Sequence, residues 1–343
     1  MSDSWAKALE RAIQGHASVL VTIYSVEGSA PREPCTKMLV WEDGQAGTVG
    51  GGNLEFVIAQ QARKMLAGGD DHRLQSYPLG PLLGQCCGGR VDVLMERIVG
   101  ESIDWLREVA RLDELGRTFL VQSRFESGAM RRTVLDLQGV GGTGPDGPFV
   151  GITDLVGRAV APAQVRSAKT DFIISEYVLT RPMLLMFGAG HVGRALARIV
   201  APLPLRTRWY DTRLEFGVVE GPLQPIIVDD LVARIDAAPS TSLFLIFTQS
   251  HDLDYALTHA ALKRFDYLYC GLIGSATKRA RFEKRLLADG IPAEYLPRLT
   301  CPIGAIGLKS KAPEVLAVAI AAEIMLNAEA RMAYRTPKRL HAR

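Results

Sequence analysis

MLLMFGAGHVGRALARIV, residues 183–200, decides the architecture of the second half of the chain. A short apolar run leads straight into Gly188-Ala189-Gly190-His191-Val192-Gly193, and an amphipathic helical pattern follows at once. This is G-x-G-x-x-G in the context that gives it meaning, with a strand before and a helix after. Glycines at those spacings allow a tight turn, close approach of a pyrophosphate and close helix packing, while the first helical N–H groups meet the phosphate charge. Asp211 closes the next strand, about twenty residues on, where an acid would accept a hydrogen bond from a ribose 2′-hydroxyl.

Further strands read outward from this unit: LRTRWYD (205–211), PIIVDD (225–230), SLFLIFT (242–248) and YLYCGLIGS (267–275). Helical stretches separate most of them, which is the mark of a doubly wound parallel sheet. A Rossmann-like domain is therefore expected over 181–343, with its boundary near Thr180-Arg181-Pro182. The fingerprint predicts a phosphate-bearing ligand against Gly188, Gly190, His191, Gly193 and Asp211. NAD is one such ligand, and other pyrophosphate compounds suit the same loop. Gly271-Leu272-Ile273-Gly274-Ser275 ends a later strand at the edge where ligand crevices open, so Gly274 and Ser275 join the candidates. The next helix carries Lys278, Arg279, Arg281, Lys284 and Arg285, which read equally as crevice lining or as a solvated face. His251 and Asp254 follow another strand end, and Cys301-Pro302-Ile303-Gly304 is one more glycine-bearing turn. Cys270 and Cys301 read as buried structural thiols.

The first half, 1–180, reads as a mixed α+β domain. SVLVTIYSVEG (18–28) is an apolar, β-branched strand ended by glycine, and TKMLVWEDGQAGTVGGG (36–52) a hairpin turning at Asp43-Gly44. In a meander of strands 18–27, 36–41 and 46–49, the loops 28–33 and 50–53 fall at the same end. Gly50, Gly51 and Gly52 open a helix with Leu54, Ile58, Ala62 and Met65 on one face, and their N–H groups suggest a concave anion nest. Ser29 and Arg32 sit in the neighbouring loop, where a guanidinium behind a stiff proline suits a phosphate. A helix over 102–111 and strands near 91–98, 119–123, 132–137 and 172–179 complete the domain, with a Gly/Pro-rich surface loop at 139–151.

One stretch resists an ordinary reading. LGPLLGQCCGG (79–89) puts adjacent thiols, Cys86 and Cys87, after Gln85 and before two glycines. Adjacent cysteines rarely pair comfortably, and this spacing fits no common zinc pattern. Five cysteines in 343 residues, an odd number, argue against a secreted disulfide framework and for reduced thiols in the cytoplasm. No signal peptide and no bilayer-length apolar stretch is read. A net charge of +3, with no basic run interleaved with aromatics, gives no reason to expect nucleic acid. Nor does any nucleophile signature or metal-ligand spacing appear, so the residues offer no convincing catalytic engine.

Taken together, these loops resemble the xanthine dehydrogenase accessory proteins of the XdhC/CoxI family. The resemblance is carried by 28–32, by Gly47-Thr-Val-Gly-Gly-Gly-Asn-Leu-Glu55, by 79–89, and by the 188–193, 271–275 and 301–304 turns. The Gln-Cys-Cys-Gly-Gly stretch is similar to the XdhC branch rather than the CO dehydrogenase branch. The resemblance implies a chaperone that binds molybdenum cofactor (molybdopterin), protects it, supports its sulfuration with a cysteine desulfurase, and delivers it to apo-xanthine dehydrogenase. It also implies that Cys86 or Cys87 faces the molybdenum or holds a persulfide in transit, with Gln85 in the same loop. A homodimer enclosing the cofactor is expected. Where relatives often show two histidines or Arg-x-His, this chain has Thr248-Gln249-Ser250-His251, so only His251 carries over. Two other readings stay open: an NAD(P)-dependent oxidoreductase using 181–343, and a pure sulfur-relay protein acting through Cys86 or Cys87.

Overall fold

The computed structural model describes residues 3–68, 71–80, 88–100, 103–127, 129–137, 149–153, 155, 171–178, 181–305, 307–308 and 310–333. They form two compact units that divide between Thr180 and Arg181.

The first unit contains two antiparallel sheets. One has the strands β1 (Ser18–Glu27), β2 (Lys37–Trp41), β3 (Gly44–Gly47), β4 (His72–Pro78) and β5 (Arg90–Ile98), in the order β3-β2-β1-β5-β4. The other has β6 (Phe119–Glu126), β7 (Ala129–Asp136), β8 (Phe149–Thr153) and β9 (Phe172–Val178), in the order β7-β6-β9-β8. The helices are α1 (Asp3–Ile13), α2 (Gly52–Gly68) and α3 (Asp104–Leu115).

β1 explains the layering. Its side chains alternate between faces, yet nearly all of them are buried, so both faces are covered. Val19, Val21 and Ile23 pack with Leu54, Ile58, Ala62 and Met65 of α2. Leu20 joins Trp5, Leu39, Leu106, Phe119 and Val121, while Tyr24 joins Phe125, Phe172 and Ile174. The second sheet thus covers one face of the first, and α2 covers the other.

Two ion pairs cross between those sheets. Lys37 Nζ lies 2.7 Å from Glu176 Oε1, with the side chains 2% and 5% exposed. It also donates to Thr22 Oγ1 at 3.1 Å and stands over the Trp5 ring. Arg132 pairs with Glu96 and stacks on Trp105. Burial pulls the Lys37 ammonium below its usual range against the opposing pull of Glu176. Glu176→Ala, which strands that charge, is expected to cost about 3–5 kcal/mol of unfolding free energy. Urea unfolding measures it, and a loss under about 1 kcal/mol, the range of a surface pair, would show that the pair is immaterial.

The first-half hairpin differs from expectation by one residue. Gly44 pairs with Trp41 as the first residue of β3, so the two-residue turn is Glu42-Asp43. A Cβ at Gly44 would sit 2.6 Å from the Trp41 ring, so the glycine answers to packing rather than to the turn. α3 starts and ends later than expected, and Phe149–Thr153, which overlaps the end of the expected loop 139–151, forms a strand on β9. β4 has no counterpart among the expected strands.

The second unit is a six-stranded, wholly parallel sheet. Its strands are β10 (Met183–Phe187), β11 (Arg206–Asp211), β12 (Ile226–Ile227), β13 (Leu243–Ile246), β14 (Tyr269–Leu272) and β15 (Leu299–Thr300). The order β12-β11-β10-β13-β14-β15 is the doubly wound Rossmann pattern, as expected. Its helices are α4 (His191–Val200), α5 (Val232–Asp236), α6 (His251–Arg264), α7 (Ala276–Ala288) and α8 (Pro313–Ala333). Alternation along β10 assigns them to faces. Leu184 and Met186 pack with Leu196 and Val200 of α4 and Ile320 and Ile324 of α8. Leu185 and Phe187 pack with Ile235 of α5, Leu257 of α6 and Phe282 of α7.

Candidate functional site

In the first unit, the unusual loops meet. Gly89 N donates to Ser29 O at 3.1 Å, and Leu79 N donates to Gly89 O at 2.8 Å. The two ends of the 80–88 segment are thereby tied together and to the loop after β1. No side chain fits at Gly89, where a Cβ would lie 2.3 Å from Ser29 O and 2.5 Å from Glu27 O. The triple-glycine loop packs on the same loop after β1, since a Cβ at Gly50 would lie 2.4 Å from Pro31 Cγ. Ser29 and Arg32 are exposed at this junction. Gln85, Cys86 and Cys87 lie outside the described residues.

Of the nest expected of Gly50, Gly51 and Gly52, the Gly51 N–H already holds an anion, and it is the chain's own. Glu55 Oε2 accepts from Val49 N at 3.2 Å, Gly51 N at 3.1 Å and Thr48 Oγ1 at 2.5 Å. Gly50 N donates to Thr48 Oγ1 at 3.1 Å, and Gln45 Nε2 donates to Glu55 Oε1 at 2.8 Å. Glu55, in the first turn of α2, therefore organises this loop, a role the glycine pattern alone did not suggest. The acid placed soon after the glycines was the available signal.

In the second unit, two fingerprint glycines serve packing. A Cβ at Gly188 (φ +117°) would lie 2.5 Å from Phe247 O, and one at Gly193 would lie 2.3 Å from Gly188 O. Gly190 caps α4 and faces open space, with His191 exposed beside it. Asp211 is buried beneath this loop with both carboxylate oxygens engaged. Oδ2 accepts from Ala189 N at 2.5 Å and from an Arg213 terminal nitrogen at 2.8 Å, and Oδ1 from Arg213 N and Nε at 2.9 Å each. Burial opposes ionisation of Asp211, but the hydrogen bonds from Arg213 and Ala189 outweigh it and hold the carboxyl below its usual value. Arg194 donates to Ala189 O, and the Arg194 and Arg213 guanidiniums both stand over the Phe216 ring. A ribose hydroxyl at Asp211 would have to displace Arg213.

Gly274 and Ser275 lie instead at a separate pocket, at the carboxyl ends of β13 and β14. It encloses about 340 Å³ and is lined by Thr248, Gln249, His251, Asp254, Ile273, Gly274, Ser275 and Lys278. Asp254 Oδ1 accepts from Thr248 N at 3.0 Å and Thr248 Oγ1 at 2.8 Å, while Oδ2 takes Lys278 Nζ at 2.5 Å. Lys278 also donates to Ile273 O at 2.9 Å. Of the α7 cations, Arg281, Lys284 and Arg285 are exposed, but Lys278 is buried. The sequence could not separate it from its neighbours.

Among the described residues, no group of three His, Cys, Asp or Glu is disposed to hold a metal ion. The described thiols are quiet. Burial pushes Cys270 up to about 12 and raises Cys301 and Cys35 as well. No described helix is long and apolar enough to cross a membrane.

Comparison with known proteins agrees with this architecture. Residues 184–324 match the family model described as the XdhC Rossmann domain, and residues 12–78 match that of the XdhC and CoxI family. The chain belongs to the XdhC and CoxI family. A Bacillus subtilis (strain 168) protein, named as a probable subunit of xanthine dehydrogenase, is 26% identical over 323 residues, covering 90% of this chain and 92% of its own. The Escherichia coli (strain K12) protein YqeB, uncharacterized, is 29% identical over 151 residues, which is 42% of this XdhC-family chain but 27% of YqeB. A crystal structure of a xanthine dehydrogenase from Bacillus halodurans shares the fold, with a TM-score of 0.69 at 22% identity over 96% of this chain and 97% of that one.

Proposed function

We propose that the chain is a maturation factor for a xanthine dehydrogenase. It binds molybdenum cofactor as cargo, protects it, supports its sulfuration with a cysteine desulfurase, and hands it to the apo-enzyme in the cytoplasm. The observation that carries this reading is the convergence of the 28–32 and 50–53 loops on the two tied ends of the segment bearing Cys86 and Cys87. Family membership and the name of the Bacillus subtilis relative support the same partner.

The residues suit such a cargo. The molybdenum of this cofactor is held by soft dithiolene sulfurs, and thiolates are the side chains whose softness matches it. Arg32 offers the pterin phosphate a planar, doubly donating partner, and Ser29 a hydroxyl beside it. Glu55 keeps the glycine loop rigid from behind. A persulfide on Cys86 or Cys87 would form when its thiolate attacks the outer sulfur of a desulfurase persulfide and the desulfurase thiolate departs. A homodimer enclosing the cargo belongs to the same proposal.

An oxidoreductase working with NAD is the weaker reading, because the acid that would hold the ribose is committed to Ala189 and Arg213. Nicotinamide fluorescence on titration separates the two readings. The direct test of delivery is reconstitution of apo-xanthine dehydrogenase with a desulfurase and either free cofactor or cofactor bound to this chain. Activation is expected to be faster and more complete from the bound form. Equal activation from both would refute delivery.

A further inference from the structure

α8 is apolar on both its inner and its outer face. Ala317, Ile320, Ile324 and Ala328 on the inner face are buried with residues of α4 and β10. On the outer face Val318 is 54% and Leu326 63% exposed, Ala322 is exposed as well, and Val315 and Met325 are half-buried. Glu323, the acid midway along the helix, is engaged by Tyr269 OH and Gly304 N. By contrast, α7 turns Arg281, Lys284 and Arg285 to solvent, as a surface helix normally does. A helix that is hydrophobic all round is ordinarily covered all round.

The spacing of the outer face identifies what fits it. Lys311, Val315, Val318, Ala322, Met325 and Glu329 follow one another at alternating intervals of four and three residues, the seam of a left-handed helix pair. Lys311 stands just ahead of the helix, whose first turn closes through Leu316 N on Ala312 O. The seam thus begins with an exposed cation and ends with an exposed anion, neither in an ion pair among the described residues. A second copy laid parallel would set like charges together at both ends. Laid antiparallel, with the two-fold axis level with Ile320, the seam matches itself. Val318 then meets Ala322, Val315 meets Met325 and Lys311 meets Glu329, each pair occurring twice. A large side chain faces a small one near the axis, opposite charges close both ends, and Leu326 lies over the aliphatic stem of Glu314.

We propose that two copies of this chain associate through the outer faces of their α8 helices, packed antiparallel. The maturation reading names a homodimer but no interface, and no candidate cofactor residue lies on this seam.

Sedimentation equilibrium of the full chain tests the pairing. The parent is expected to be a reversible dimer in the micromolar range. Ala322→Glu puts a good helix former at an exposed position but a charge at the centre of the contact. It should keep the parent's far-ultraviolet dichroism and dimerise roughly 100-fold or more weakly. Lys311→Glu and Glu329→Lys each bring like charges together at both ends and should weaken the dimer about tenfold, with two contacts affected. The double variant that exchanges the two charges should regain parental affinity. These rim variants keep the test decisive should Ala322→Glu misfold. A monomeric parent would overturn the proposal, and its sedimentation with phosphatidylcholine vesicles would give the face to a lipid surface instead. Parental affinity in a folded Ala322→Glu would overturn it by placing the dimer on another face. Charge reversals without effect, or not rescued by the exchange, would overturn the antiparallel pairing. None of these readouts involves a pterin, so failure here is distinguishable from failure of the maturation reading.

Discussion

The Cys86→Ser, Cys87→Ser double variant is expected to purify as a folded protein and to retain cofactor roughly 10- to 100-fold less well than the parent, the loss typical of removing a metal's supporting partner. The expectation rests on softness rather than on size. Serine is close to isosteric with cysteine, but its hydroxyl is a hard, protonated oxygen at neutral pH, whereas a thiolate matches a sulfur-ligated molybdenum. Activation of apo-xanthine dehydrogenase should fall with retention. The single variants then divide the work, because a thiol that only relays sulfur would lower activation and leave retention intact. Undiminished retention and activation in the double variant would remove the thiols from the account.

Gly188→Ala carries the largest expected loss of stability in the second unit. Gly188 has φ +117°, and an alanine Cβ there would lie 2.5 Å from Phe247 O and 2.9 Å from Phe247 C, both backbone atoms of the adjoining strand end. Neither can yield cheaply, because Phe247 N donates to Phe187 O and extends the β10–β13 ladder. Backbone strain and overpacking together should cost roughly 3–5 kcal/mol. Chemical denaturation, followed through the buried Trp209 whose indole donates to Gly188 O, is the natural readout. The same substitution at Gly190, which faces open space, should cost less than about 1 kcal/mol. Equal losses at the two positions would mean that the loop is not packed as described.

How much of this was legible in the sequence depends on the kind of signal. The β10–glycine–α4 unit was readable because strand, fingerprint and helix each constrain the same residues, and the parallel sheet followed from the alternation around it. β15 spans only two residues, too short for any periodicity to register, whereas β12, equally short, fell within the strand read at 225–230. β4, HRLQSYP, escapes a sequence reading because its side chains are mostly half-buried and few are apolar, so no alternation shows. The adjacency of the 28–33 and 50–53 loops was readable from strand direction alone. Their chemistry was harder to read. Glu55 takes the Gly51 N–H of the glycine loop and the Rossmann acid is neutralised by Arg213, partners whose side-chain direction a sequence does not state. Lys278 makes the same point, since one buried cation in a helix whose other cations are exposed or half-buried is visible only once Asp254 is seen beneath it.

The central claim is that this chain carries molybdenum cofactor. The most direct test is pterin release from protein purified under reducing conditions out of cells competent in cofactor synthesis. Acid oxidation and heat convert the released pterin to a fluorescent derivative, read beside elemental molybdenum. The account predicts pterin in near-stoichiometric amounts, depleted in the Cys86→Ser, Cys87→Ser variant. No pterin in the parent protein, even after incubation with supplied cofactor and with thiols kept reduced, would contradict it.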